Sequence, residues 1–204
     1  MGLIDEASVA AHAIALQLAA LTFMVPMGLA QAATVRVGRA FGGHDRSGIT
    51  RAGWTAFVLG VGFMGVMALV MVLIPEQLIG IFIDAGDPAN ARVIELGVSF
   101  LLLGAVFQIF DGAQVVGAGM LRGLQDTRVP MVFAGLGYWV IGIGLGAWLA
   151  FSRDWQGVGI WTGLATGLAV VSVLMLWRWS RRESLGLVGK PAGATRPVHD
   201  RPGL

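Results

Sequence analysis

Long stretches of this chain carry no charge at all. No Asp, Glu, Lys or Arg occurs in Ala7 to Val35, Ala52 to Pro75, Val129 to Ser152 or Gly157 to Trp177, and Leu96 to Leu121 holds only Asp111. A helix rises about 1.5 Å per residue, so about 20 residues cross a hydrocarbon core about 30 Å thick, and each of the five runs is long enough. They predict an all-α, polytopic membrane helix bundle of about five transmembrane helices within residues 1–183. A proline- and glycine-rich tail, 184–204, has no apolar periodicity and is expected to be disordered. Composition agrees: 56% of residues are apolar and 13% charged, where a soluble chain needs about one quarter charged to cover its surface. Ala7 to Val35 is far longer than a signal-peptide core and has no basic flank before it, so it does not read as a secretory signal.

The few charges are sorted. If the loop from Arg36 to Arg51, the loop from Arg122 to Arg128 and the tail share one side, that side holds twelve of the fourteen basic residues. The other side keeps Arg92 and Arg153. The positive-inside rule then predicts a cytoplasmic C-terminus and an N-terminus outside, in a cell inner (plasma) membrane. An odd number of spans with an outside N-terminus reads like the back part of a longer protein. The acidic loop from Glu76 to Glu95 faces out, and its Leu78 to Ile83 stretch is too short to span. A net charge of only +2 argues against a nucleic-acid partner, and the basic loop from Arg36 to Arg46 is better suited to lipid head groups. There is no cysteine, no Ser-His-acid set, no carboxylate pair and no metal-ligand spacing, so neither an enzyme nor a cofactor is expected.

Within the spans, Asp111 is the residue that most needs explaining, because a carboxylate in mid-span costs about 2.5 to 3.5 kcal/mol even on lenient scales. At about 100° per residue, Gln108 and Gln114 fall to either side of it, while Gly104, Ala118 and Arg122 share its face and Phe107 borders it. A site for H+ or Na+ follows, the alternative being a protonated side chain hydrogen-bonded between helices. His12 and Gln17 are polar residues of the first span that could line a cavity or bond between helices, and Pro26 is a candidate kink or hinge. The spacings Gly119-xxx-Gly123, Gly142-xxx-Gly146 and Gly163-xxx-Gly167 allow helices to approach within one bundle. Tyr138 and the tryptophans at 139, 148, 155, 161, 177 and 179 fall mostly near span ends, as an interfacial belt would.

Three strings are specific. The run from Ala10 to Gly38, AAHAIALQLAALTFMVPMGLAQAATVRVG, resembles a signature helix in the second half of multidrug and toxic compound extrusion (MATE) transporters, NorM-like branch. So do FQIFDGAQVVGAGMLRGLQDTR, Phe107 to Arg128, and YWVIG, Tyr138 to Gly142. The resemblance implies a twelve-helix, two-lobe transporter that exchanges H+ or Na+ for organic cations and drugs, with this chain matching its last five helices and an N-terminal lobe elsewhere. It places Asp111 on the family's cation-binding carboxylate. Phe107 stands where that branch often carries a tyrosine, and the glutamate supplied by the preceding helix has no counterpart. The expected function is therefore part of a multidrug efflux antiporter with small organic cations as substrates and membrane lipids around it. Two alternatives remain open: a non-transporting truncated or assembly-partner chain, and a lipid-linked sugar flippase, although flippases typically line their cavities with basic residues and these spans contain none.

Overall fold

The computed structural model describes residues 6–84, 86–152 and 155–188. Five helices are long and apolar enough to cross a membrane. In lipid nothing but the chain itself can satisfy backbone N–H and C=O groups, so a span must be helical. Four spans are single helices: α1 (Glu6–Gly42), α2 (Arg46–Leu73), α4 (Ala91–Gly123) and α7 (Gln156–Ser180). The remaining span is composite, with α5 (Arg128–Gly135), a π-helical stretch (Leu136–Ile143) and α6 (Gly144–Ser152). A short α3 (Pro75–Gly80) and a 3-10 turn (Pro88–Asn90) lie between α2 and α4.

Helix ends follow local chemistry. The Asp45 carboxylate accepts from the Gly48 N–H at 2.8 Å and caps α2, and the Asp87 carboxylate accepts from the Ala89 N–H at 2.9 Å ahead of Pro88. His44 and Gln125, with φ of 56° and 64°, reverse the chain after α1 and α4. Because α1 continues to Gly42, Arg36 and Arg39 stand on the helix rather than in a loop.

α4 is the centre of the bundle, packing against α1, α2 and α7. Glycine sets the spacing. A Cβ on Gly119 would collide with the Ala30 backbone, and one on Gly123 would lie 2.7 Å from the Val37 Cβ. Thr34 spans the same α1–α4 contact, its hydroxyl donating to the Gly119 carbonyl at 2.9 Å. On the other flank, Gly163 meets the Gly146 backbone, and Gly167 meets Gly142 and the Gly137 carbonyl. All three small-residue spacings are thus used inside the bundle. Thr22 pairs with Gln108, Ala30 meets Gly119 and Val37 meets Gly123, so α1 and α4 run parallel.

Apolar side chains divide between two buried clusters, one around Val116, Met120, Met175 and Trp179, the other around Leu18, Met71, Phe100 and Trp161. Val58, Met131, Trp139 and Phe151 point outward, as a lipid-facing surface requires. Trp161 and Trp179 depart from the belt expected of them: they are 1% and 0% exposed, whereas Trp139, Trp148, Trp155 and Trp177 are exposed. Arg182 folds over the Trp179 ring at 4.7 Å and donates to the Thr50 hydroxyl at 2.7 Å, tying the end of α7 to the start of α2. Of the tail read as disordered, Val188 is buried against the first cluster, and residues 189–204 lie outside the described residues.

Two outcomes follow. Gly119→Val forces α1 from α4 and should cost about 1–3 kcal/mol, read as a lower unfolding temperature in detergent, while Gly62→Ala, with nothing within 4 Å, should not lower it. Equal effects would contradict the packing. The Gly48 N–H, then the Ser47 hydroxyl, hold the Asp45 carboxyl below its usual 3.8. The cap is therefore fully present above that value and lost as pH falls through the lower, folded one. Hydrogen exchange in the first turn of α2, corrected for intrinsic rates, should quicken below about pH 4 and be fast at every pH in Asp45→Ala. Protection that ignores pH would rule the cap out.

Candidate functional site

Polar residues on α4 recur at helical spacing and meet different neighbours. Gln108 is 1% exposed. Its Oε1 accepts from the Thr22 hydroxyl of α1 at 3.0 Å, and its Nε2 donates to the Met64 carbonyl of α2 at 3.4 Å, so one amide ties three helices. The Ala19 carbonyl, also at 3.0 Å, is an alternative acceptor for the same hydroxyl. Pro26 lacks the N–H that would have bonded to the Thr22 carbonyl, so α1 loses a backbone hydrogen bond at the residue that meets Gln108. α1 nevertheless runs unbroken through Pro26, which is buried and lies between the Thr22–Gln108 and Ala30–Gly119 contacts, at the depth of Asp111.

Asp111 is half-buried, one turn beyond Phe107 and Gln108. The adjoining Gly112 lets α4 approach Met64: a Cβ there would lie 2.7 Å from the Met64 Cγ. The Tyr138 phenol, carried by the π-helical stretch, lies within electrostatic range of the Asp111 carboxyl. Such stretches are rare and concentrate at functional sites. Tyr138 is therefore a site candidate that the belt reading passed over. Among the described residues no three His, Asp or Glu side chains come together, so a Na+ held by Asp111 would have to complete its shell with amide, hydroxyl, phenol or backbone oxygens.

Trp161 gathers the aromatic members of the site. Its ring lies edge-on to Phe107 at 5.5 Å and to His12 at 5.6 Å, and against Phe100 at 6.5 Å, within the range of favourable aromatic pairs. His12 Nδ1 and Trp161 Nε1 are buried without a hydrogen-bond partner among the described residues. Trp179 Nε1, in the other buried cluster, is likewise without a partner among the described residues, and buried groups of this kind are ones that a water or ligand can satisfy. Gln114, one turn beyond Asp111, lines a separate crevice of about 320 Å³ with Arg122, Asp126 and Ala134. The Arg178–Asp126 ion pair lies at that end, bidentate, with Nη2 to Oδ1 at 3.1 Å. Gln17 is not gathered into the site: it is exposed, about 140° around α1 from His12.

Comparison with known proteins adds the family. The MatE family model matches residues 1–148. The chain is 62% identical over 185 residues to the "Probable multidrug resistance protein NorM" of Mesorhizobium japonicum, covering 91% of this chain and 40% of that protein. It is 59% identical over 181 residues to the Brucella suis protein of the same name, covering 89% and 38%. The crystal structure of the eukaryotic MATE transporter AtDTX14 superposes with a TM-score of 0.76 at 20% identity, covering 86% of this chain and 38% of that one. At that identity the likeness is one of fold. The chain spans about 40% of the length of the curated relatives it matches.

Gln108 and Thr22 provide the local test. In a double-mutant cycle of Thr22→Val and Gln108→Leu, unfolding in detergent should show a coupling of about 0.6 kcal/mol, the average for interhelical hydrogen bonds in a membrane. Strictly additive losses would mean that the pair is not formed.

Proposed function

Because this chain belongs to the MatE family, we propose that it forms the cation-binding part of a multidrug efflux antiporter, which exports organic cations in exchange for H+ or Na+. Asp111 carries this reading, as the one charged residue inside the five apolar runs, an acid whose cost is offset when a cation sits on it. An organic cation and the coupling ion are both drawn to that charge, and each weakens the hold of the other. Such mutual exclusion at one carboxylate is the simplest physical basis for exchange.

Movement needs differential affinity. A cation on Asp111 shifts the bundle between two packings only if it binds one better than the other, and a full reversal from 1:99 to 99:1 takes about 5.5 kcal/mol. The unsatisfied His12 and Trp161 nitrogens favour a nearby element with a second arrangement. Opening the contact between Phe107 and Trp161 would present ring faces to a drug cation, each worth about 0.5–2 kcal/mol. On this proposal Pro26 gives α1 its point of bending beside Gln108, Tyr138 supplies a phenol toward Asp111, and Gln114 lines the approach from the arginine-rich end. That end faces the cytoplasm of a cell inner membrane, by the positive-inside rule. Gln17 is left for a wall outside the cluster.

The test is export of a fluorescent organic cation from cells, run with this chain and, in parallel, with a full-length relative. Changing the relative's equivalent of Asp111 to Asn should leave the protein in the membrane and abolish export driven by a pH or Na+ gradient. Unchanged export under every gradient would remove Asp111 from the mechanism. Export by the 204-residue chain alone would mean that these five spans suffice, and none would mean that other polypeptide is needed.

A further inference from the structure

Away from the α4 site, a groove of about 560 Å³ opens between the last turns of α1 and the first turns of α2. Three exposed arginines are among its lining residues and form its charged mouth by their place nearest the helix ends, Arg36 and Arg39 on α1 and Arg51 on α2. Arg36 and Arg39 are three residues apart, so they share a helix face. None of the three has an ion-pair partner among the described residues. Asp45 acts on Arg51 but lies beyond ion-pair distance, its carboxylate accepting from the Gly48 N–H and Ser47 hydroxyl.

Below the arginines the lining changes character. Leu29, Ala33 and Leu59 form an apolar floor, and Leu59 is 55% exposed. Leu29 lies seven residues from Arg36 and Leu59 eight from Arg51, so the floor extends about 10–12 Å from the charged mouth toward mid-membrane. A free phosphate would use the mouth and leave the floor bare. A phospholipid would match both parts, with phosphate oxygens among the guanidinium groups and acyl carbons along the floor. The groove lies at the arginine-rich end of the bundle, where Arg182 ties α7 to Thr50 of α2, and so at head-group level on the side where anionic lipid attracts basic residues.

We propose that the α1–α2 groove binds one anionic phospholipid, its head group held by Arg36, Arg39 and Arg51 and an acyl chain laid between Leu29 and Leu59. The full chain, purified in a neutral detergent, is titrated with phosphatidylglycerol, with phosphatidylcholine of the same chains and with inorganic phosphate, and occupancy is read by native mass spectrometry. Phosphatidylglycerol should bind preferentially. The triple change Arg36→Gln, Arg39→Gln, Arg51→Gln should weaken it about a hundredfold, and Arg36→Gln or Arg51→Gln alone about fivefold. Removing the same charge elsewhere at that end, with Arg122→Gln, Arg128→Gln and Arg181→Gln, should leave it unchanged. The single variants keep the test decisive should the triple variant unfold. Equal weakening by the control triple would reduce the effect to overall charge. Occupancy by inorganic phosphate that matches the lipid's would assign an anion site, and a dimer lost in the groove variants without lipid preference would assign the face to a second copy. Each of these three results, or lipid binding untouched by the groove variants, overturns the proposal.

Discussion

Helices in lipid gain little from hiding apolar surface, because hydrocarbon surrounds them either way, so association must come from close contact and hydrogen bonds. Here that requirement is met where Gly119 and Gly123 admit the backbone of α1. Once α1 and α4 are this close and parallel, Thr22 faces Gln108, Pro26 comes to the depth of Asp111, and Thr34 reaches the Gly119 carbonyl. Gly163 and Gly167 do the same for α7 against the composite span. Larger residues at these points would separate the helices and, with them, the groups around Asp111.

Two kinds of hydrogen bonding coexist around that packing. Gln108 is satisfied from both sides, whereas His12 Nδ1 and Trp161 Nε1, nearby in the same bundle, are not. A fully paired network fixes one arrangement, and unpaired buried groups cost free energy that another arrangement can recover. On the proposed function, that division would let the helices stay together while a local part changes. At the opposite end from His12 the charges are set differently: Arg178 is paired with Asp126 and Arg182 with Thr50, while Arg36, Arg39 and Arg51 remain available to the surrounding membrane.

Much of this was legible in the sequence, for identifiable reasons. Charge-free runs of bilayer length fix the number of spans, glycine pairs four residues apart fix where they touch, and a lone acid inside one run singles out Asp111. Orientation was harder to read. Hydropathy does not distinguish a buried tryptophan near a span end from an interfacial one, so Trp161 reads like Trp155 although their environments are opposite. Tyr138 sits in a π-helical stretch, where the chain winds more slowly than 100° per residue and an α-helical wheel misplaces side chains. Gln17 was legible as polar but not as turned away. A charge ends an apolar run but does not end a helix, so the run stops at Val35 while α1 continues to Gly42, and the groove formed by Arg36 and Arg39 depends on that extra length.

The proposed coupling rests on whether the Asp111 carboxyl itself takes up the cation, and infrared difference spectroscopy of the chain in lipid asks this directly. Spectra are recorded on adding acid or Na+, for the unmodified chain and for Asp111→Asn. If Asp111 holds the coupling ion, a carboxyl band changes on one of those additions and that change vanishes in the Asn variant. Difference spectra that are identical in the two chains would contradict the role assigned to Asp111.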